Sequence, residues 1–112
     1  PIVWDDQALV CNVKNKGLVV VTGCAHAGAI NTLLYAQALT GVSPVYAFLG
    51  GLHLSGAAFE PRIAQTVADL TALQPSIVVP AHCTGLKATH AIAAALPNAF
   101  IQNSVGTRYH LV

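Results

Sequence analysis

The chain has 112 residues, of which five are Lys or Arg and four are Asp or Glu, so its formal charge is close to zero. This balance excludes the clustered positive charge that binding to nucleic acid or docking on an anionic membrane requires. Although 54% of the residues are hydrophobic, no apolar run reaches the roughly 18 residues needed to span a bilayer.

A strand, a turn and a second strand are predicted first. Residues 7–13 alternate, with Leu9, Cys11 and Val13 on one face, which is typical of a strand and makes Cys11 a small buried hydrophobe. The turn at 14–17 contains Asn and Gly, both of which accept positive φ. Residues 18–22 then form the second strand of a hairpin.

Helices and strands alternate in the rest of the chain. Continuous apolar runs predict strands buried on both faces, and helical periodicity between them predicts amphipathic helices. The predicted order is helix 29–40, strand 45–49, helix 61–73, strand 76–79, helix 85–96 and a last strand pair at 99–102 and 107–111. This alternation indicates an α/β fold with a mainly parallel sheet and right-handed crossovers, formed by residues 1–112 as a single domain.

A histidine follows each of three predicted buried strands, after a Gly or a Pro that turns the chain. These residues are His26, His53 and His82. Ligand sites in open α/β sheets lie at the carboxyl ends of the strands, and neighbouring strands are only about 4.8 Å apart. We therefore expect the three imidazoles to share one cleft, where they are suited to bind zinc, iron or a related metal.

The remaining histidines and cysteines fit this pattern less well. Cys24 lies two residues before His26, and its roles as a metal ligand and as a core residue both stay open. Cys83 directly follows His82 and is interpreted as structural, as are His90 and His110. Three cysteines do not make a disulfide framework, and the chain opens without a signal peptide, so a reducing cytoplasmic location is expected.

Four segments together resemble a known family: Asp6 to Val10, Gly17 to Gly28, Gly50 to Leu54, and Pro80 to Gly85. They are similar to the second half of metallo-β-lactamase superfamily hydrolases, and most similar to their dihydropterin synthase-like branch. The resemblance implies the C-terminal half of an αββα sandwich, with helices packed on a mixed sheet. It also implies one or two metal ions, zinc or else iron or manganese, that activate water to hydrolyse an ester, amide or phosphate-type bond.

The resemblance assigns roles to individual residues. His82 matches the last metal-ligating histidine of the family. The Gly-Cys-Ala-His segment falls where family members place another ligand, and His26 is favoured there over Cys24. His53 is expected to face the site as a catalytic residue, in contact with either metal or substrate.

The family's His-x-His-x-Asp-His segment does not occur in this sequence. The resemblance therefore implies that an N-terminal half is missing, and that the chain alone holds metal weakly and catalyses poorly. Because only 8% of residues are charged, we expect an apolar face to be covered by a homo-oligomer or by an N-terminal half from another segment or chain. The substrate is expected to be a small molecule. The alternative function is a non-catalytic assembly or binding domain that uses this apolar face.

Overall fold

The computed structural model describes residues 4–112. Four strands, β1 to β4, form one sheet in chain order, and three helices, α1 to α3, connect or follow them. The strands are β1 Ala8–Val13, β2 Gly17–Thr22, β3 Val45–Gly51 and β4 Ile77–Ala81. The helices are α1 Ala29–Thr40, α2 Ile63–Leu73 and α3 Leu86–Ala95, and short 3₁₀ turns lie at Glu60–Arg62 and His82–Thr84.

The sheet is mainly parallel, as the alternation of elements predicts, and the predicted hairpin adds one antiparallel pair. β1 pairs with β2 antiparallel, whereas β2 with β3 and β3 with β4 are parallel. Parallel neighbours need long crossovers, and here these contain α1 and α2. Since three strands run in one direction, the loops that follow Thr22, Gly51 and Ala81 all emerge at one edge of the sheet.

One face of the sheet packs against the helices and forms the core. Val20, Phe48 and Val78 lie side by side in register on this face, and all are nearly inaccessible. They pack with Leu33 of α1 and Ile92 of α3 in one hydrophobic cluster. Each such side chain contributes about 1.5–3 kcal/mol when it is fully buried.

The opposite face of the sheet is also apolar but is less well covered. Leu9, Val21, Leu49 and Val79 lie in one row across the four strands. The exposed fraction is 2% at Val79, 39% at Val21 and 63% at Leu9. Exposure therefore rises towards the β1 edge.

The structure contradicts the interpretation of Cys11 as a buried residue. Cys11 is exposed because it lies on the edge strand β1, on the same poorly covered face as Leu9. Alternation along a strand assigns residues to faces, but it does not reveal which face other elements cover.

The predicted strand pair at the end of the chain does not form. Phe100 makes a single parallel bridge with Val78, in which the Val78 amide donates to Ala99 and the Ile101 amide donates back to Val78. Residues 107–111 form no strand, so His110 lies outside regular structure. The segment at 99–101 pairs with β4 instead of forming a hairpin with residues 107–111. No helix within residues 4–112 has the length and apolarity to cross a bilayer.

Candidate metal centre

Three loops at the carboxyl edge of the parallel strands carry the predicted site residues. Cys24 and His26 follow β2, His53 follows β3, and His82 begins the 3₁₀ turn after β4. The rings of His26 and His53 are in contact, and the side chain of His82 meets that of Cys24. The fold thus brings the four predicted residues to one edge, in two neighbouring groups.

The first group is Cys24, His82 and Cys83, which we call the thiol–imidazole cluster. Each residue offers one ligand atom, and these three atoms all lie within 4.8 Å of one another. A tetrahedral zinc ion with bonds of 2.0–2.3 Å holds its ligand atoms about 3.5–3.8 Å apart. Small side-chain rotations are therefore sufficient to bring the three atoms onto one ion.

Cys83, which its position after His82 predicts to be structural, belongs to this cluster. That interpretation assumed an extended chain, in which consecutive side chains point to opposite sides. His82 instead has φ of 52° and starts a 3₁₀ turn, where consecutive side chains differ by about 120°. His82 and Cys83 can then face the same cleft. The Gly85 that follows the turn was the one visible sign of a tight turn here.

Burial raises the pKa of the Cys83 thiol above its ordinary value of 9.0, with a smaller contribution from the neighbouring Cys24. A hydrogen bond from the His53 backbone partly opposes this rise. The Cys83 thiol also donates to the carbonyl oxygen of Cys24 at 3.5 Å. The thiol is thus held in its neutral form unless a cation stabilises the thiolate.

The second group centres on His26 and His53, whose rings meet edge to face with 4.5 Å between centroids. On one side, Nδ1 of His26 lies 3.9 Å from Oδ1 of Asp6, whose other carboxylate oxygen accepts a hydrogen bond from the Ala27 amide. On the other side, Phe59 packs against His53 at 4.4 Å. Asp6 and Phe59 were not predicted as site residues, because nothing in their spacing connects them with the histidines.

Unusual backbone conformations concentrate at this edge. Five non-glycine residues among residues 4–112 have positive φ, and three of them, Ala25, His53 and His82, lie one in each of the three loops. Such conformations cost of order 1–3 kcal/mol each and persist only where the surrounding structure imposes them. The loops are therefore held in conformations that their own sequences do not favour.

Two buried threonines help to hold these loops. Thr84 accepts a hydrogen bond from the Leu52 amide at 3.1 Å and donates to the Ala81 carbonyl at 2.8 Å. Thr22 donates to the Gly51 carbonyl at 2.8 Å. Both are among the few buried polar residues, and together they tie the ends of β2, β3 and β4 to each other.

A glycine gives the two thiols the space to approach. A Cβ atom added at Gly51 would lie 2.8 Å from Sγ of Cys83 and 3.1 Å from Cα of Cys24, and it would also collide with the Gly23 carbonyl oxygen. The separation from Sγ of Cys83 is shorter than real Cβ contacts, and the one from Cα of Cys24 is tighter than most of them. Gly51 is thus required by packing rather than by its φ angle.

An open cavity of about 350 Å³ lies beside His82, on the side of α3. Its walls include His90, Gln102 and Asn103 as well as His82. His90, interpreted from the sequence as structural, is exposed on α3 and faces this cavity. His82 is the one residue of the thiol–imidazole cluster that lines this cavity.

Two curated proteins of Methanocaldococcus jannaschii are similar to this chain in sequence. The first is 7,8-dihydropterin-6-methyl-4-(beta-D-ribofuranosyl)-aminobenzene-5'-phosphate synthase, which is 37% identical over 84 residues, 75% of this chain and 28% of that protein. The second is the uncharacterized protein MJ0448, which is 33% identical over 102 residues, 91% of this chain and 35% of that protein. The chain therefore spans about a third of the length of these relatives. No protein-family model matches the chain.

A solved structure matches the fold over most of the chain. It is the crystal structure of Tm1679, described as a metal-dependent hydrolase of the β-lactamase superfamily. The TM-score is 0.81 at 31% sequence identity, and the match covers 94% of this chain and 40% of that one. The four-stranded sheet and its helices thus correspond to one part of a larger hydrolase.

Proposed function

Because this chain belongs to the metallo-β-lactamase superfamily, of which it represents one part of the fold, we propose that it forms part of a metal-dependent hydrolase for a small-molecule substrate. The proposed reaction activates water on zinc, or a similar metal, to cleave an ester, amide or phosphate-type bond. The observation that carries this proposal is the thiol–imidazole cluster, in which the ligand atoms of Cys24, His82 and Cys83 lie within 4.8 Å of one another.

The chemistry of the donor atoms favours zinc. Two thiols and one imidazole are soft to borderline ligands of the kind found in zinc sites, and they also suit iron. Manganese prefers carboxylates and other oxygen ligands, and here Asp6 lies against His26 rather than in the cluster. When bound, a zinc ion supplies Lewis acidity and lowers the pKa of coordinated water.

His26 is proposed as a further metal ligand. Its Nδ1 faces Asp6, which leaves Nε2 free to bind an ion in the carboxylate–histidine–metal arrangement common in metalloproteins. Asp6 is well placed to fix this ring, because its side chain is only 14% exposed and the Ala27 amide also holds it. His26 is not one of the three residues of the thiol–imidazole cluster, so it would add a fourth donor to the same ion or bind a second ion beside it.

His53 is proposed as the residue that contacts the substrate. Its ring lies between His26 and Phe59, so its orientation is fixed by packing on two sides. An imidazole in this position can donate or accept a hydrogen bond with a bound substrate. The cavity beside His82 provides space for the substrate, with His90 and Asn103 as polar walls.

The chain would act together with other protein. It covers only 28% to 40% of the length of the relatives it matches. In addition, Leu9 and Val21, which are neighbours on β1 and β2, leave apolar surface exposed on one face of the sheet. We propose that this face is covered by the N-terminal part of the hydrolase or by a second copy of the chain. The same exposed row favours the second candidate function, a non-catalytic assembly domain.

Metal titration of the 112-residue chain tests the proposal. We expect one zinc ion to bind per chain and His82→Ala or Cys24→Ser to weaken zinc binding about 100-fold, as measured by competition with a chelator. Cobalt substitution adds a direct readout, because thiolate ligation gives near-ultraviolet charge-transfer absorption that Cys24→Ser would reduce. His90→Ala and Cys11→Ser are the controls. If neither His82→Ala nor Cys24→Ser changes the zinc affinity, the assembly domain is the better interpretation.

A further inference from the structure

Cys24 and Cys83 stand out because they are two free thiols that face each other from different loops. They are 59 positions apart in sequence, yet the Cys83 thiol donates to the Cys24 carbonyl at 3.5 Å. The two sulfur atoms lie within 4.8 Å of each other. A disulfide requires the sulfur atoms to approach to about 2.05 Å, which side-chain rotation in these loops can supply.

The surroundings of the two thiols favour their direct contact. Gly51 has no side chain to separate them, since a Cβ there would contact both cysteines. Both residues are only partly buried, so a small oxidant can reach them. Cys11, the third cysteine, is on the edge strand β1 and is not part of the cluster.

We propose that Cys24 and Cys83 form a redox-sensitive dithiol that closes to a disulfide under mild oxidation and thereby excludes metal from the thiol–imidazole cluster. The disulfide itself depends only on the geometry of the two thiols. The exclusion of metal rests in addition on the proposed function, because a sulfur engaged in a disulfide is no longer a thiolate ligand.

The oxidant belongs to the class of low-molecular-weight disulfides, such as oxidised glutathione. One cysteine, as the thiolate, attacks the small disulfide; a mixed disulfide forms and one glutathione thiol leaves. The other cysteine then attacks the protein sulfur of the mixed disulfide and releases the second glutathione thiol. Two S–H bonds of the protein are lost and one S–S bond forms, while the two electrons reduce oxidised glutathione to two thiols.

The sequence allows the product to be identified directly. Cleavage after Lys and Arg places each cysteine in a separate peptide: Cys11 in 1–14, Cys24 in 17–62 and Cys83 in 63–87. We expect the metal-free chain, treated with oxidised glutathione at mildly alkaline pH, to lose about 2 Da. Non-reducing peptide mapping should then show peptide 17–62 linked to 63–87, with the same link in Cys11→Ser. Cys83→Ser should instead trap a stable glutathione adduct on Cys24.

Zinc provides the second arm of the experiment. One equivalent of zinc added beforehand should slow disulfide formation by about tenfold or more, and oxidation of the loaded protein should release the metal to a chelating dye. If the Cys24–Cys83 disulfide forms at the same rate with and without zinc, the result supports the redox-sensitive dithiol and contradicts the proposed metal site. Separate glutathione adducts on Cys24 and Cys83, or a link that involves Cys11, would overturn the dithiol itself.

Discussion

A Cβ atom added at Gly51 would lie 2.8 Å from Sγ of Cys83, so a side chain at position 51 and the thiol cannot occupy their places together. Gly51→Ala should therefore push the Cys83 side chain out of the thiol–imidazole cluster. Since Gly51 is buried and the Gly23 carbonyl also blocks the added methyl group, we expect a loss of about 1–3 kcal/mol in the free energy of unfolding. Urea denaturation measures this loss, and zinc titration should show weaker binding.

Gly23→Ala is the matched control for this substitution. Gly23 lies in the neighbouring loop, and a Cβ there would meet nothing within 4 Å. The free energy of unfolding of the Gly23→Ala variant should stay within about 0.5 kcal/mol of that of the wild type, as for other substitutions away from packed features. Equal effects of the two substitutions would show that loop flexibility, and not the space beside Cys83, explains the result.

The hydroxyl of Thr84 joins the loop after β3 to the turn after β4. Thr84→Val keeps the shape of the side chain but leaves the buried Leu52 amide without its acceptor. We expect the free energy of unfolding to fall by about 1–3 kcal/mol, the cost of an unsatisfied buried group. Thr71→Val serves as the control, because Thr71 is exposed on α2 and its hydroxyl donates to the Val67 carbonyl within the same helix. A similar cost in both variants would contradict a special role for Thr84.

Most of the fold follows from the sequence, because its signals are local. Continuous apolar runs mark β2, β3 and β4. Gly41, with φ of 71°, ends α1 where a glycine predicts the end of a helix. The prediction of a strand pair at 99–102 and 107–111 was wrong, because strand pairing depends on contacts between residues distant in sequence. Whether residues 99–101 join β4 or a hairpin depends on which hydrogen-bonding partners are nearby, and the sequence does not reveal this.

The candidate site also has a part that the sequence predicts and a part that it does not. The sequence predicts that His26, His53 and His82 lie at one edge of the sheet, because each follows a parallel strand and parallel strands share their carboxyl ends. The structure places them at that edge. The contacts of Cys83 and Asp6 depend instead on backbone conformation and on side chains distant in sequence. The φ of 52° at His82 turns Cys83 towards Cys24, and no spacing rule predicts a left-handed conformation at a histidine.

The raised pKa of Cys83 predicts a pH dependence for the metal-free protein. Because burial makes the thiolate unfavourable in the folded state, the thiol remains protonated to higher pH when folded than when unfolded. Its contribution to stability is fully present below the ordinary value of 9.0 and is lost as pH rises through the higher pKa of the folded protein. Zinc binding needs the thiolate, so zinc affinity should increase with pH.

Alkylation of Cys83 by iodoacetamide, followed by mass spectrometry of peptide 63–87, measures this shift. The same peptide in urea-unfolded protein is the control, because the thiol is then hydrated. The rate should rise at higher pH in the folded chain than in the unfolded one. Coincident pH profiles would show that the Cys83 thiol is not desolvated by the fold.

The exposed apolar residues Leu9 and Val21 on the sheet predict that this face binds a second copy of the chain or another protein segment. Leu9 and Val21 are directly opposed in the β1–β2 register, and a lysine at either position would place a charge in the centre of a contact made through this face. If the partner is a second copy of the chain, Val21→Lys should weaken dimerisation by about 10-fold or more, which corresponds to ~1.4 kcal/mol. Val105→Lys should leave it unchanged, because Val105 is fully exposed in a turn outside the sheet. Sedimentation equilibrium over a range of concentrations distinguishes the two variants. A wild-type chain that stays monomeric at high concentration would rule out a second copy as the partner and leave the proposed N-terminal part as the remaining candidate.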